Sequence, residues 1–269
     1  MIFVIFISAI LASLILSFAY WRFRSLFPIQ NQVLRVLMYH KLSNTTKNEL
    51  TVLGSDFEAQ LLWLKQNHYK SISSQELILH LYQNAPLPPK PVLITFDDGY
   101  INNLDIGLPL LKKYGMKATI FLPIQHIGGT NVWDNGNEPL VDVEHIKQNH
   151  GETIEFALHS FAHMNYRFKT EREIEEDLEM MQKTLLKETI PFVSAFAYPY
   201  GGLPKKQKEK EAIKRLLKKY GIQVAFRIKD KLNPLPIRDP YELLRIGISG
   251  SDSLEEFSYR VNYGSRNLF

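Results

Sequence analysis

Apolar residues in this chain follow two rhythms. Short runs with apolar side chains at nearly every position recur at 33–40 (VLRVLMYH), 92–96 (VLITF), 118–122 (ATIFL), 154–160 (IEFALHS), 192–198 (FVSAFAY), 224–226 (VAF) and 244–249 (LRIGIS). Runs this short, apolar on both faces, predict strands covered on both sides. Between them the spacing changes to i, i+4, i+7. Phe57, Leu61 and Leu64 predict a helix ending near His68, opened by the capping box Ser55-Asp56-Phe57-Glu58. Similar boxes at Ser73–Glu76 and Thr170–Glu173 open two more helices, and Ser253-Leu254-Glu255-Glu256 caps a last one. Leu104, Ile106, Leu108, Leu111 and Tyr114 predict a helix stopped by Gly115, where left-handed backbone is easiest. Strands alternating with capped helices imply a parallel sheet with helical crossovers, and about seven such units predict a barrel, closed or partly open.

Length agrees with that topology, since one α/β barrel of about 250 residues would use nearly all of the 269 present. The first twenty residues carry no charged side chain and, as a helix, would span ~30 Å, a bilayer core. With no basic stretch before it, this segment is expected to be an uncleaved membrane anchor rather than a signal peptide. Residues 21–32 read as a linker and 33–269 as one catalytic domain. Arg22 and Arg24 follow the anchor, and the positive-inside tendency on its own would leave the domain in the cytoplasm. The net charge of +4 comes with Lys and Arg concentrated at 204–221, interleaved with Glu. Ile213, Leu216, Leu217 and Tyr220 supply an inward stripe there, so the lysines read as a solvated helix face and nucleic acid is not an expected partner. There is no Cys, so a metal would have to be held by His and carboxylates.

Two adjacent acids, Asp97 and Asp98, end the strand 92–96. Asp-Gly is a turn dipeptide, but a helix rather than a second strand follows, which puts both acids at a strand-to-helix junction. Chemistry in α/β barrels gathers beyond the carboxyl ends of the strands. His40, Asp97, Asp98, His159, His163 and Tyr200 all lie at or just past predicted strand ends. His159 and His163, spaced HxxxH, together with Asp98 make two imidazoles and one carboxylate. Such a set leaves positions open on a zinc-like ion, and the same trio can hold ferrous iron in oxygenases. Asp97 stands one residue from a ligand, where a general base would meet metal-bound water, and this favours hydrolysis.

The stretches TFDDG (95–99), HSFAH (159–163) and AYPYG (197–201), in that order, resemble the polysaccharide deacetylases of the NodB-homology type, carbohydrate esterase family 4. VLMYHKL (36–42), LPLLKKYGMKATIFL (108–122) and LLRIGIS (243–249) look like the branch acting on β-1,6-linked poly-N-acetylglucosamine. The resemblance covers roughly residues 33–260. It implies a distorted (β/α)7 barrel, here preceded by one transmembrane helix, that hydrolyses N-acetyl groups of an acetylated amino-sugar polysaccharide with one divalent metal, expected to be zinc. By position it makes Asp97 the general base and Asp98, His159 and His163 the metal ligands. It also lets the main-chain N–H of Tyr200 stabilise the oxyanion. Because the polymer lies outside the cell, the domain is expected on the extracytoplasmic side of the membrane, against the charge signal.

Two departures from the family pattern stand out. Ala197 occupies the place of an arginine that steadies the base, and the late strand lacks the Leu-x-His that supplies the general acid. In the poly-N-acetylglucosamine branch the acid comes from the early YH strand, so His40 is the expected proton donor. A non-catalytic glycan-binding relative and an O-acetyl esterase with the same metal site stay open as alternatives, the missing arginine favouring the first.

Overall fold

The computed structural model describes residues 33–265. The expected transmembrane segment (1–20) and linker (21–32) lie outside them. Among the described residues no helix is long and apolar enough to cross a membrane.

Seven strands form the centre: β1 (Val33–Tyr39), β2 (Pro91–Phe96), β3 (Ala118–Leu122), β4 (Ile154–Leu158), β5 (Ala195–Ala197), β6 (Val224–Ile228) and β7 (Leu243–Gly247). Each pairs in parallel with its sequence neighbour, and β1 closes the ring by pairing with both β2 and β7. The β1–β2 register runs from Arg35↔Val92 to Tyr39↔Phe96. At the β4–β5 seam a single pair, Leu158↔Phe196, joins the strands, and the barrel is distorted there. The expected strand 192–198 shrinks to three residues, because the Val193 N–H already donates to the Phe156 carbonyl and Phe192 turns outward. Asn233–Pro234 adds an antiparallel edge to β1, and Lys70–Ser71 a short parallel one to β2.

Among the described residues seven α-helices accompany the strands: α1 (Gly54–Gln66), α2 (Ser74–Gln83), α3 (Leu108–Tyr114), α4 (Val143–Asn149), α5 (Glu171–Glu188), α6 (Gln207–Lys219) and α7 (Leu254–Tyr263). Strand alternation divides the apolar residues into two layers. Val36, Leu93, Phe121, Ala157, Ala195, Val224 and Leu243 belong to one buried cluster, which also takes in Leu77 and Ile78 of α2. Leu37, Ile94, Ile120, Phe156, Phe196 and Ala225, the alternate positions, pack with the helices in the other.

Local signals held with two exceptions. Boxes at Ser73 and Thr170 form reciprocally, and Ser253 accepts from the Glu256 N–H. The box expected at Ser55 does not form: the chain passes straight from the strand Thr51–Leu53 into α1, Leu53 is the N-cap, and the Glu58 carboxylate goes to Lys113 and Tyr114 instead. The helix expected over 104–114 is split into a π-turn, Asn103–Gly107, followed by α3. Pro109 has no N–H to continue an α ladder, so the wider turn precedes it, and Gly115 ends α3 in the left-handed region at φ 64°.

Candidate metal centre and active site

All seven parallel strands deliver their carboxyl ends to one face. Asp97 and Asp98 leave β2 there, His159 leaves β4, and His163 follows one turn of loop later. The backbone at this face is bent hard. Asp98 (φ 75°), Ser160 (φ 64°), His163 (φ 53°) and Tyr200 (φ 57°) all occupy the left-handed region that L side chains avoid. Such non-glycine residues persist where the surrounding structure over-determines them, and they cluster at functional sites. Gly99 continues the bend at φ 72°, and a Cβ there would sit 2.6 Å from Leu122 Cδ2, so this turn needs glycine.

Asp98, His159 and His163 are buried and bring one ligand atom each within 4.8 Å of the others. Asp98 Oδ1 lies 3.1 Å from His163 Nε2 and 3.5 Å from His159 Nε2. The ring of His159 has a defined tautomer, because its Nδ1 sits 2.7 Å from the Ala197 carbonyl, which can only accept. Nε2 of His159 therefore carries a lone pair toward Asp98. Two acceptors face each other at 3.5 Å, and the buried Asp98 Oδ1 has no hydrogen bond of good geometry, although His163 Nε2 stands 3.1 Å away. An orphaned carboxylate oxygen opposite an imidazole lone pair is the arrangement a cation resolves, and two imidazoles with one carboxylate suit a divalent ion of the zinc type.

Asp97 stands beside this cluster, its Oδ2 3.9 Å from His159 Nε2. It is gripped from the opposite side: Arg245 Nη1 donates to Oδ1 at 2.5 Å and Nη2 to Oδ2 at 2.7 Å. Arg245 is fully buried in β7, with its guanidinium carbon 5.5 Å from the Phe121 ring centre and Nη1 also reaching Thr95 Oγ1 at 3.4 Å. Burial alone would raise the Asp97 carboxyl, but the Arg245 charge, then His159 and His40, outweigh it and hold Asp97 well below the usual carboxylate range. Asp98 is also lowered, its burial outweighed by His163, His40 and His159.

Arg245 corrects the sequence reading. The missing arginine at Ala197 is replaced in space by one from β7, and the Ala197 main chain has another task, holding His159. A lone arginine inside the apolar strand LLRIGIS was the signal for it, since a buried guanidinium demands a carboxylate partner. The absence at 197 therefore no longer favours a non-catalytic relative.

Tyr200 is half exposed, and its hydroxyl lies 3.1 Å from His163 Nδ1. Its side chain thus contacts a candidate ligand, where the sequence had pointed to the main chain alone. Trp133, from the 127–141 loop, packs on the other part of His163 with ring centres 4.4 Å apart, and it had drawn no attention in the sequence. His40 follows β1 and is half-buried; its carbonyl accepts from Asn103 Nδ2, and it lines a cleft of about 390 Å³ with Leu50, Asp230 and Asp252.

Burial pushes the His159 imidazole down to about 4; His163 and Arg245 act in the same direction, against Asp97 and Asp98. In the unfolded chain the group titrates near ~6.5, so its stabilising contribution is complete above that pH. As pH falls from there toward about 4, the unfolded chain binds the extra proton and the fold weakens. Thermal unfolding of the metal-free protein should show a midpoint that drops across this window, and a flat profile would mean His159 is not kept neutral by burial.

A closed parallel barrel with a buried His-His-Asp cluster and a paired carboxylate at its carboxyl face fits a class, the α/β-barrel hydrolases with a candidate cation site. Residues 84–225 match the polysaccharide deacetylase family, and the chain belongs to that family of hydrolases. It is 34% identical over 168 residues to the Bacillus subtilis polysaccharide deacetylase homologue YxkH, covering 62% of this chain and 57% of that protein's length. It is 29% identical over 215 residues to the poly-β-1,6-N-acetyl-D-glucosamine N-deacetylase of Staphylococcus epidermidis, covering 76% of this chain and 70% of the relative. Among solved structures, IcaB from Ammonifex degensii superimposes with a TM-score of 0.70 at 22% identity, over 87% of this chain and 98% of that one. The deacetylase PplD of Streptococcus pyogenes gives 0.69 at 21%, over 87% and 99%. At such identities these two establish the fold.

Proposed function

We propose that this protein removes N-acetyl groups from an N-acetylglucosamine polysaccharide, β-1,6-linked, with Asp98, His159 and His163 holding one divalent metal ion, zinc by donor type. The observation that carries this is the orphaned Asp98 oxygen facing the His159 lone pair, with an ionised base beside it. The linkage rests on the names of the staphylococcal relatives. When bound, the cation would acidify a water and polarise the acetyl carbonyl.

The chain's own groups do the rest. Asp97, kept ionised and aimed by the Arg245 fork, accepts the proton of the attacking water. The Tyr200 main-chain N–H is assigned to the oxyanion of the tetrahedral intermediate, where one such donor commonly contributes ~10²–10³-fold. The Tyr200 hydroxyl and the Ala197 carbonyl orient the two imidazoles. His40 donates a proton to the departing glucosamine nitrogen, because an amide anion is too poor a leaving group. Residues 1–20 anchor the domain at the membrane, on the side where the polymer lies; a reporter fused after Phe269 and active only in the cytoplasm would refute that side.

The direct test is acetate release from β-1,6-linked N-acetylglucosamine oligomers, abolished by a chelator and restored by Zn²⁺ or Co²⁺. Full turnover in metal-free protein, or release only from O-acetylated polymers, would overturn the reading. His40→Ala should leave metal content unchanged and lower kcat/KM by at least ~10-fold, as expected for losing an acid catalyst. A parental kcat/KM in that variant would place the proton donor elsewhere.

A further inference from the structure

His159 and His163 lie on one short loop, and something must hold that loop. Ser160 and His163 are both left-handed without being glycine, a backbone path that the loop's own sequence does not favour. One side is tied to the neighbouring segment, where the Ile124 and Gln125 N–H groups donate to the Ser160 and Phe161 carbonyls. Within the loop, Ser160 Oγ accepts from the Met164 N–H at 2.9 Å.

A further anchor, acting on the loop's main chain, is Asp177, in the second turn of α5 and only 4% exposed. Its Oδ2 accepts from the Phe161 N–H at 2.9 Å and from the Tyr166 hydroxyl at 2.8 Å, while Oδ1 accepts from the Ala162 N–H at 3.0 Å. Phe161 and Ala162 are two of the three residues between the histidines. Successive N–H groups turned toward one point form a concavity suited to an anion, and here the anion is a side chain of the protein itself. A neutral amide could accept from one of these groups but would set its own NH₂ against the other.

We propose that Asp177 is a positioning residue: by clamping the Phe161 and Ala162 amides it sets where His163 stands relative to His159 and Asp98, and so sets the metal affinity of the centre. This rests on the metal reading above. Groups that orient ligands without touching the ion typically govern affinity by ~10–100-fold, because a loop left free must be ordered by the ion when it binds. A carboxylate that served only to dock α5 would affect the stability of the fold and leave the affinity of the folded protein untouched.

The two roles separate in one experiment on the full chain. Zn²⁺ affinity is measured by competition with a chromophoric chelator, alongside the thermal midpoint of the metal-free protein and acetate release at saturating Zn²⁺. Asp177→Asn is expected to bind Zn²⁺ ~10–100-fold more weakly, with acetate release largely recovered once the ion saturates. Tyr166→Phe, which removes one of the three donors and keeps the ring, is expected to shift affinity in the same direction by less. Parental Zn²⁺ affinity in folded Asp177→Asn, or in Tyr166→Phe should the first variant fail to fold, overturns the proposal. A parent chain that binds no Zn²⁺ fails earlier, at the metal reading itself, so the two failures are distinguishable.

Discussion

Alanine at Asp98, His159 or His163 should strip the protein of metal and of acetate release together, whereas Asp97→Asn should keep the metal and lose ~10²–10⁴-fold in kcat. The contrast follows from geometry. The three candidate ligand atoms are mutually within 4.8 Å and buried, and a metal held by three protein ligands would have none to spare. Asp97 is a neighbour of that cluster, with both its oxygens already committed to Arg245. An asparagine there keeps the shape but cannot take a proton from water, and its NH₂ is set against one arm of the buried Arg245 fork, so stability falls as well and kcat is compared on folded protein. Metal content by elemental analysis, measured with acetate release on the same samples, checks both halves. If Asp97→Asn arrives metal-free, Asp97 belongs in the coordination set and the roles of the two acids must be exchanged.

Arg245→Met should be the most damaging change outside the candidate ligands. It leaves the Asp97 carboxylate inside the barrel without its charge partner, and breaking a buried pair from one side typically costs about 3–5 kcal/mol. The same loss should raise the Asp97 carboxyl, because the burial that opposes ionisation remains while the largest force lowering it has gone. Chemical denaturation reads the first effect. Adding Asp97→Asn to Arg245→Met should recover much of the lost stability, since no unpaired charge is then left behind. If the double variant is as unstable as the single, the damage is a packing loss against Phe121, and the ion pair is not its cause. Arg245→Lys should fall between, as a single ammonium cannot reproduce the two parallel hydrogen bonds.

Much of this protein is written locally. The strands announce themselves as short, doubly apolar runs, because in a closed barrel one face of each strand meets the interior and the other meets helices. Three helix starts are legible from the capping residues Ser73, Thr170 and Ser253, whose side chains reach only three residues along the chain. The candidate site residues Asp97, Asp98, His159 and His163 are legible for a related reason: parallel strands all end on one face, so chemistry-bearing residues at strand ends must meet.

Other features depend on what the fold brings near, and no local pattern contains them. Glu58 could have closed a capping box, but Lys113 and Tyr114 stand close to it in space and take its carboxylate. The arginine that pairs with Asp97 is 148 positions away, delivered by β7 because β7 is hydrogen-bonded to β1 and β1 to β2. Asp177 reads as one acid among many on an amphipathic helix, and only the docking of α5 beneath the histidine loop turns its carboxylate toward two main-chain amides. The sequence by itself determined the barrel and the four residues at its mouth, since periodicity and strand ends are properties of consecutive residues. Tertiary structure alone decided which charges those residues meet, because a buried charge takes as partner whatever the fold places within a few ångströms of it, at any distance along the chain.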